Sequence, residues 1–489
     1  MQRHLGSAFL LCAVYACGCD MFARGRGAPG AIGIEQRSAA SSAKASPALP
    51  DPCRGLAVPA DQHFVPDGMC ARVVARHQGA LRQITFAPNG DLFGVTIAGS
   101  IRRFRDRDRD GQFAGDEIVE WANTGGANGH NAEIDAKGGY LYAGSKGGVK
   151  RWKWGIEIDR GGDSEDVVVG QPGGGNHPYH PVHVFDGFLY VDAGSLGNSM
   201  DPMPTEYDVE RAVIKRFDLS KLAPGKPFAW KDGEVFVRGA RNVTGFARDA
   251  AGRMFGVVSG LDDLRVDGAD VHADNPGDEV VRLEMGKSFG WPFCFAAVRI
   301  VSGGNVIAPG TMLHAEVVSQ NPLAATWKST RDDAWCGANA EPPLSLLQAH
   351  ASALSIAFFD GPDGALPPRW RGGAFIALHG SWDREPSTGY KIVWLPFDAQ
   401  GRPPMATSTV TSTSFPYEVV FGGGSKGVAR DGAWGWRVGD DGEDVVRPVG
   451  VAVSPIDGAL YVASDNGKVA LTKLGKSEDG NLYRIALTR

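Results

Sequence analysis

One phrase recurs six times along this chain. A chain that repeats one supersecondary unit is confined to folds that stack copies of it. The phrase is a basic residue, an alternating apolar run, a turn rich in Gly, Asn or Asp, and an aliphatic–aromatic run. It begins at Arg82 (RQITFAPNGDLFGV), His130 (HNAEIDAKGGYLYAG), His177 (HPYHPVHVFDGFLYVDAGS), Arg241 (RNVTGFARDAAGRMFGVVSG), His350 (HASALSIAFFDGPDGALPPRWRGGAFIALHGS) and Arg447 (RPVGVAVSPIDGALYVAS). Each copy alternates with period two on both sides of a turn, the pattern of a β-hairpin. No run holds a 3.6-residue apolar period over three turns. Six copies over residues 53–489 leave roughly 70 residues each, above the ~40–50 of a minimal four-stranded blade, and long loops account for the excess. The expected fold is all-β, a six-bladed β-propeller whose circular closure protects its sheet edges. A pair of β-sandwiches is the alternative, but it does not predict six copies.

Equivalent positions of successive blades surround one axis. The six phrase heads (Arg82, His130, His177, Arg241, His350 and Arg447) are therefore expected to converge on one end of the channel. Six side chains able to carry positive charge would repel one another there unless an anion occupied the middle. The competing reading is that each caps a strand and faces solvent.

Net charge is −6, with Lys+Arg 50 against Asp+Glu 56. That balance gives no electrostatic reason to expect nucleic acid or an anionic membrane as partner. Arg3 and His4 precede the apolar run Ala8–Cys17, too short to span a bilayer but fitting the core of an export signal. Ala16 before Cys17 and Gly18 before Cys19 resemble a bacterial lipobox, which implies a lipid-modified cysteine; an ordinary cleavable signal is the alternative. The expected organisation is a signal over 1–19, an Ala/Ser/Pro/Gly linker over 20–52 and the propeller over 53–489, held at the cell envelope by its anchor. Cys53, Cys70, Cys294 and Cys336 remain. An even number in an exported chain is consistent with two disulfides. Pairing near neighbours is economical, yet three connectivities are possible.

The stretch DRDRDGQFAGDE places Asp106, Asp108, Asp110 and Glu117 at positions one, three, five and twelve of a calcium-binding loop. Its flanks, SIRRF and IVEW, are β-type runs, so a helix–loop–helix sensor is excluded. A structural calcium site in a hairpin is expected, with a solvated acidic turn as the alternative. The segment HPYHPVH, with His177, His180 and His183 three apart, could hold a transition metal on a polyproline-like turn.

The segments HPYHPVHVFDGFLYVDAGSLGN, RAVIKRF, ARNVTGF, GDEVVRLEMGKSFGWPFC, HGSWDREPSTGYKIV and RPVGVAVSPIDGALYVAS resemble the glucose/sorbosone dehydrogenase family, and the sorbosone-like branch more closely. Members bind pyrroloquinoline quinone (PQQ) on a six-bladed propeller. The resemblance implies that PQQ, with three carboxylates, is the anion for the ring of Arg and His, including Arg82 and His130. It implies His177 as the general base, with His180 second. Arg241 and Asn242 match a quinone- and substrate-contacting pair, the Arg stabilising charge on a quinone oxygen. Arg447 and Arg384 match carboxylate contacts. The backbone carbonyls of Gly260 and Leu261 match those holding a cofactor-site calcium.

Two positions depart from the glucose branch: Asp383 stands beside Arg384 where a Lys is usual, and Asn176 stands where an Asp orients the base. An acidic insertion, Leu264–Glu279, forms either a lid or a surface loop. The expected activity is oxidation of a sugar or related alcohol or aldehyde by hydride transfer. Electrons would pass to a separate quinone or cytochrome, since the chain carries no CxxCH motif. Two rival readings are a calcium-dependent lactonase using Glu133 and Asn198, and a non-catalytic cell-surface binding module.

Overall fold

The computed structural model describes residues 53–488, apart from 54–55, 59–62, 127–128, 199–209, 318–330, 382–383, 385–386, 424–446 and 466–479. The expected signal and linker, with Cys17 and Cys19, and Asp383 lie outside the described residues.

Six sheets, each built on four antiparallel strands, form a six-bladed β-propeller. The innermost strands are Leu81–Phe86, Ala132–Asp135, Val182–Phe185, Val243–Arg248, Ala353–Phe358 and Pro448–Val453. Each starts within three residues of a phrase head, except the third, which starts five residues after His177. Each pairs with the second strand of its phrase across the turn found in the sequence. In blade three, Phe185 opposes Phe188, and the two-residue connection Asp186-Gly187 has φ of 51° and 80°. Positive φ at both positions is the hairpin turn that matches strand twist, and Gly adopts it without strain.

The ring closes through the sixth blade. The early strand Met69–Ala75 pairs with the final strand Asn481–Leu487, Met69 opposite Leu487, so the blade is completed from both ends of the domain. Disulfide Cys53–Cys70 tethers the approach to that strand, and Cys294–Cys336 ties a loop of blade four. Both are the near-neighbour pairings. The core lies between blades: Trp370, Phe375, Ile392, Val462 and Tyr483 pack together fully buried between blades five and six. Each such side chain contributes on the order of 1.5–3 kcal/mol of transfer free energy.

Two details differ from expectation. The acidic insertion ends early: Gly277–Arg282 is the third strand of blade four, so Asp278 and Glu279 are buried strand residues. Among the described residues there is one α-helix, Asp333–Asn339, N-capped by the Asp332 carboxylate on Trp335 N–H at 2.8 Å. It makes under two turns, too short to show a helical period.

Candidate active site

All six innermost strands leave the ring of phrase heads in the same direction, so their starts meet at one end of the channel. Gln83 forms the floor beneath them. Its side-chain amide donates across the axis to Thr244 O at 2.6 Å and to Leu354 O, linking blade one to blades four and five. Above this floor the heads fall into two groups.

The first group contains Arg82, His130 and Arg447, all buried. Arg82 Nη1 lies 3.8 Å from Asp465 Oδ2, and its guanidinium sits 4.5 Å over the Tyr179 ring. Arg82 Nη2 is 3.5 Å from His130 Nδ1. Arg447 Nη2 donates to His379 Nδ1 at 3.2 Å, and His379 Nε2–H donates to Asp465 at 2.9 Å. Burial pushes the Asp465 carboxyl up, but His379, Arg447 and Arg82 outweigh it and hold it well below the usual carboxylate range. Burial, then Arg447, lowers His379 to about 4. Burial, then Arg82, drives His130 well below its ordinary value. Both rings are neutral at pH 7.

The second group contains His177, Arg241 and His350. Arg241 Nη2 pairs with Asp262 at 2.9 Å, and its Nε–H donates to Asn198 O at 2.9 Å. His350 Nδ1 stands 3.5 Å from the same carboxylate. His177 Nδ1 lies 2.9 Å from Ser195 Oγ and 3.1 Å from Ser195 O. Ser195 Oγ–H donates to Gly197 O at 2.8 Å. The His177 proton therefore resides on Nδ1, and Nε2 carries the lone pair. Burial, then Arg241, lowers His177 to about 3. Asn242 stands beside it: a Cβ on Gly194 would meet His177 Cβ at 2.6 Å and Asn242 Oδ1 at 2.9 Å. Only glycine fits between them.

The picture of six mutually repelling cations is thereby corrected. His130 and His177 are neutral, Arg82 faces the buried Asp465 and Arg241 the half-buried Asp262. Those carboxylates, with Ser195 and His379, were missed in the sequence. They share one signal. Antiparallel pairing brings the end of each phrase's second strand back beside the head of its first: Ala353 opposes Leu378 and Pro448 opposes Ser464. The residues just beyond, His379 and Asp465, arrive at the ring, and Ser195 and Asp262 do so by the same route.

Other expected residues are more scattered. His180 is buried with Nδ1 held by the Gln171 amide at 2.8 Å, and burial lowers it to about 4. His183 pairs with Glu133 at 3.1 Å, so the three histidines of HPYHPVH have separate partners. Glu133 lies beyond the Gln83 floor while Asn198 is beside Arg241, so the lactonase set is not assembled. Gly260 and Leu261 lead from blade four directly into Asp262, and Gly260 N–H donates to Asp278 at 3.2 Å. Arg384 bonds Ala273 O and Asp274, the latter at 3.3 Å. It thus braces the insertion, whose His272 O accepts from His350 Nε2–H at 2.7 Å.

Among the described residues, only Asp106, Asp108 and Glu117 bring three such ligand atoms within 4.8 Å. The Asp110 carboxylate instead accepts Gln112 N–H at 2.7 Å.

The TrAA12-like family profile matches residues 64–472. A "Pyrroloquinoline quinone-dependent pyranose dehydrogenase" of Coprinopsis cinerea is 27% identical over 70% of this chain and 46% of its own length. This chain thus spans about half of that relative. A "Pyrroloquinoline quinone-dependent sugar dehydrogenase" of Hypocrea jecorina is 25% identical over 85% of this chain and 90% of its own. The holo PQQ domain of the Coprinopsis cinerea pyranose dehydrogenase shares the fold, with TM-score 0.68 and 23% identity over 89% of this chain and 99% of that domain.

Proposed function

The chain belongs to the TrAA12-like family, and on that premise we propose that it is a PQQ-dependent dehydrogenase of a sugar or related alcohol or aldehyde. The observation that carries this reading is the neutral, tautomer-fixed His177 beside Arg241, at a channel end lined with guanidinium groups. The two curated relatives with PQQ and sugar in their names support it.

The residues present fit such a group. Arg82 Nε and Trp291 Nε1 are buried donors without a hydrogen-bond partner, and Arg241 lies 5.7 Å over the Trp291 ring. A buried N–H without an acceptor is costly, so acceptor oxygens belong there. Arg82, Arg447 and His130 would hold carboxylates; Arg241 and Asn242 would face the quinone oxygens. When bound, PQQ accepts a hydride from the substrate carbon.

His177 Nε2 takes the proton from the substrate hydroxyl. Its orientation comes from Ser195, which supplies the hydrogen bond that Asn176 does not. Its low basicity arises from burial and from Arg241, so an anion beside Arg241 raises it toward a useful range. Calcium is assigned to the carbonyls of Gly260 and Leu261 and, as a structural ion, to Asp106, Asp108 and Glu117. Export to the cell envelope, with a lipid-modified Cys17 or Cys19, is part of the same proposal. Its support is the pair of disulfides, which belong to an oxidising compartment. Electrons would leave to a separate quinone or cytochrome.

The test is reconstitution with PQQ and calcium, followed by dye reduction with pyranoses, alcohols and sorbosone. Failure to bind PQQ at micromolar concentration refutes the reading. With PQQ bound, His177→Ala is expected to abolish turnover while retaining the cofactor; full activity would move the base elsewhere.

A further inference from the structure

A cavity of about 550 Å³ lies beyond Gln83, on the side away from the phrase heads. All six innermost strands contribute to its lining, so it is built by the fold itself. Its volume is that of small-molecule sites, ~300–1,000 Å³. Four phenylalanines line it: Phe86, Phe185, Phe246 and Phe358. Of the polar residues in the lining, Gln83, Asn131, Glu133 and Ser355 are engaged with Thr244, Val182, His183 and Val451, while His183 and Arg248 stand among the phenylalanines. His183 stacks on Phe185 with rings 7° from parallel and lies 4.2 Å from the Phe246 ring centroid. Arg248 pairs with Asp186, and its guanidinium sits 4.5 Å over the Phe185 ring.

Each has one unmet hydrogen-bonding atom. His183 Nδ1 is 3.1 Å from the Glu133 carboxylate and so donates its proton there, leaving Nε2 as an acceptor. That Nε2 is buried without a partner, and so is Arg248 Nε–H, a donor. A hydroxyl both donates and accepts. A sugar would bring several more hydroxyls against a lining that is mostly Phe, Ile, Val, Ala and Pro and whose other polar groups are largely engaged within the protein, where burying unpaired polar groups is unfavourable. An aromatic ring matches that wall through offset and edge contacts.

We propose that this cavity binds a small phenolic compound, its ring among the four phenylalanines and its hydroxyl between His183 and Arg248. The site stands apart from the ring of phrase heads, because the Gln83 bridge to Thr244 and Leu354 lies between them. It therefore does not depend on the cofactor reading.

The probe is 4-fluorophenol, titrated into the full chain without PQQ and followed by ¹⁹F NMR. Saturable one-to-one binding is expected, with Kd near ~1 mM or tighter for so small a ligand. Fluorobenzene, lacking the hydroxyl, and His183→Gln should each weaken binding about fivefold to tenfold, the worth of one hydrogen bond. Ala357→Trp, which fills the cavity from its lining, should abolish it with an unchanged circular dichroism spectrum. Adding PQQ should leave the affinity unaltered. Absence of saturation, indifference to Ala357→Trp, equal affinity for fluorobenzene, or displacement by PQQ would each overturn the proposal.

Discussion

Asp465 is the residue whose removal tests the electrostatics of the ring most directly. It is 3% exposed and stands among Arg82, His379 and Arg447. Asp465→Asn preserves shape, and the Asn Oδ1 can still accept from His379 Nε2–H. What disappears is the negative charge. Leaving buried guanidinium groups without that charge costs ~3–5 kcal/mol, and the retained hydrogen bond places the expected loss at the lower end, about 3 kcal/mol. Across the unit Leu49–Arg489, at ~2.1 cal/mol/K per residue, this is a fall in Tm of only about 3 °C. Denaturant titration at constant m is therefore the better assay.

The pH dependence has a definite sign. Asp465 has a folded pKa below its ordinary 3.8, so its contribution is present above that value and lost as pH falls through the folded pKa. The deficit of the Asn variant should be full at pH 7 and shrink in strong acid. If PQQ binds as proposed, saturating it should return much of the lost stability, since its carboxylates would bring negative charge to the same guanidinium groups. An apo variant as stable as the native chain at pH 7 would refute the account of the ring.

Two further outcomes follow from the same structure. Calcium should raise the Tm of the apo-protein, and Asp108→Ala should remove the acidic loop's share of that gain; an equal gain in the variant would mean the acidic loop binds no ion. Burial, then Asp278, raises the Glu279 carboxyl from 4.5 to about 8. Its favourable contribution is thus complete below about pH 4.5 and lost as pH rises through 8. Glu279→Gln should flatten this decline and be the more stable protein at pH 9 by denaturant titration. A parallel pair of pH–stability curves would exclude Glu279 as the cause.

The blades were readable because their causes are local. Period-two alternation and a Gly, Asn or Asp turn specify a hairpin within about twenty residues, and six hairpins leave few closed arrangements. What was not readable depends on partners far apart in the chain. Asp278 and Glu279 look like the end of an acidic loop. They are strand residues because Asp278 accepts N–H groups from Gly260 and from Ala353 in the next blade. The calcium-loop motif was visible, but the turning of Asp110 away toward Gln112 was not. Asn176 suggested a base without an orienting group, and Ser195, eighteen residues after His177, supplies one.

The ring of heads was the strongest inference from repetition, and its charge was the weakest. Symmetry predicts that equivalent positions meet; it does not predict their ionisation, which burial decides. Depressed His pKa values and two interposed aspartates turn six apparent cations into two unlike halves. Around Arg82 and Arg447, two guanidinium groups flank one carboxylate, and Arg82 keeps an unpartnered N–H; this half suits anchoring an anion. Around Arg241, the guanidinium is matched by Asp262 and held beside a neutral His177 whose lone pair is fixed by Ser195; this half suits proton transfer. On the proposed function, the same six-fold scaffold separates holding from reacting. It does so through residues at the ends of the second strands, which the phrase heads alone do not reveal.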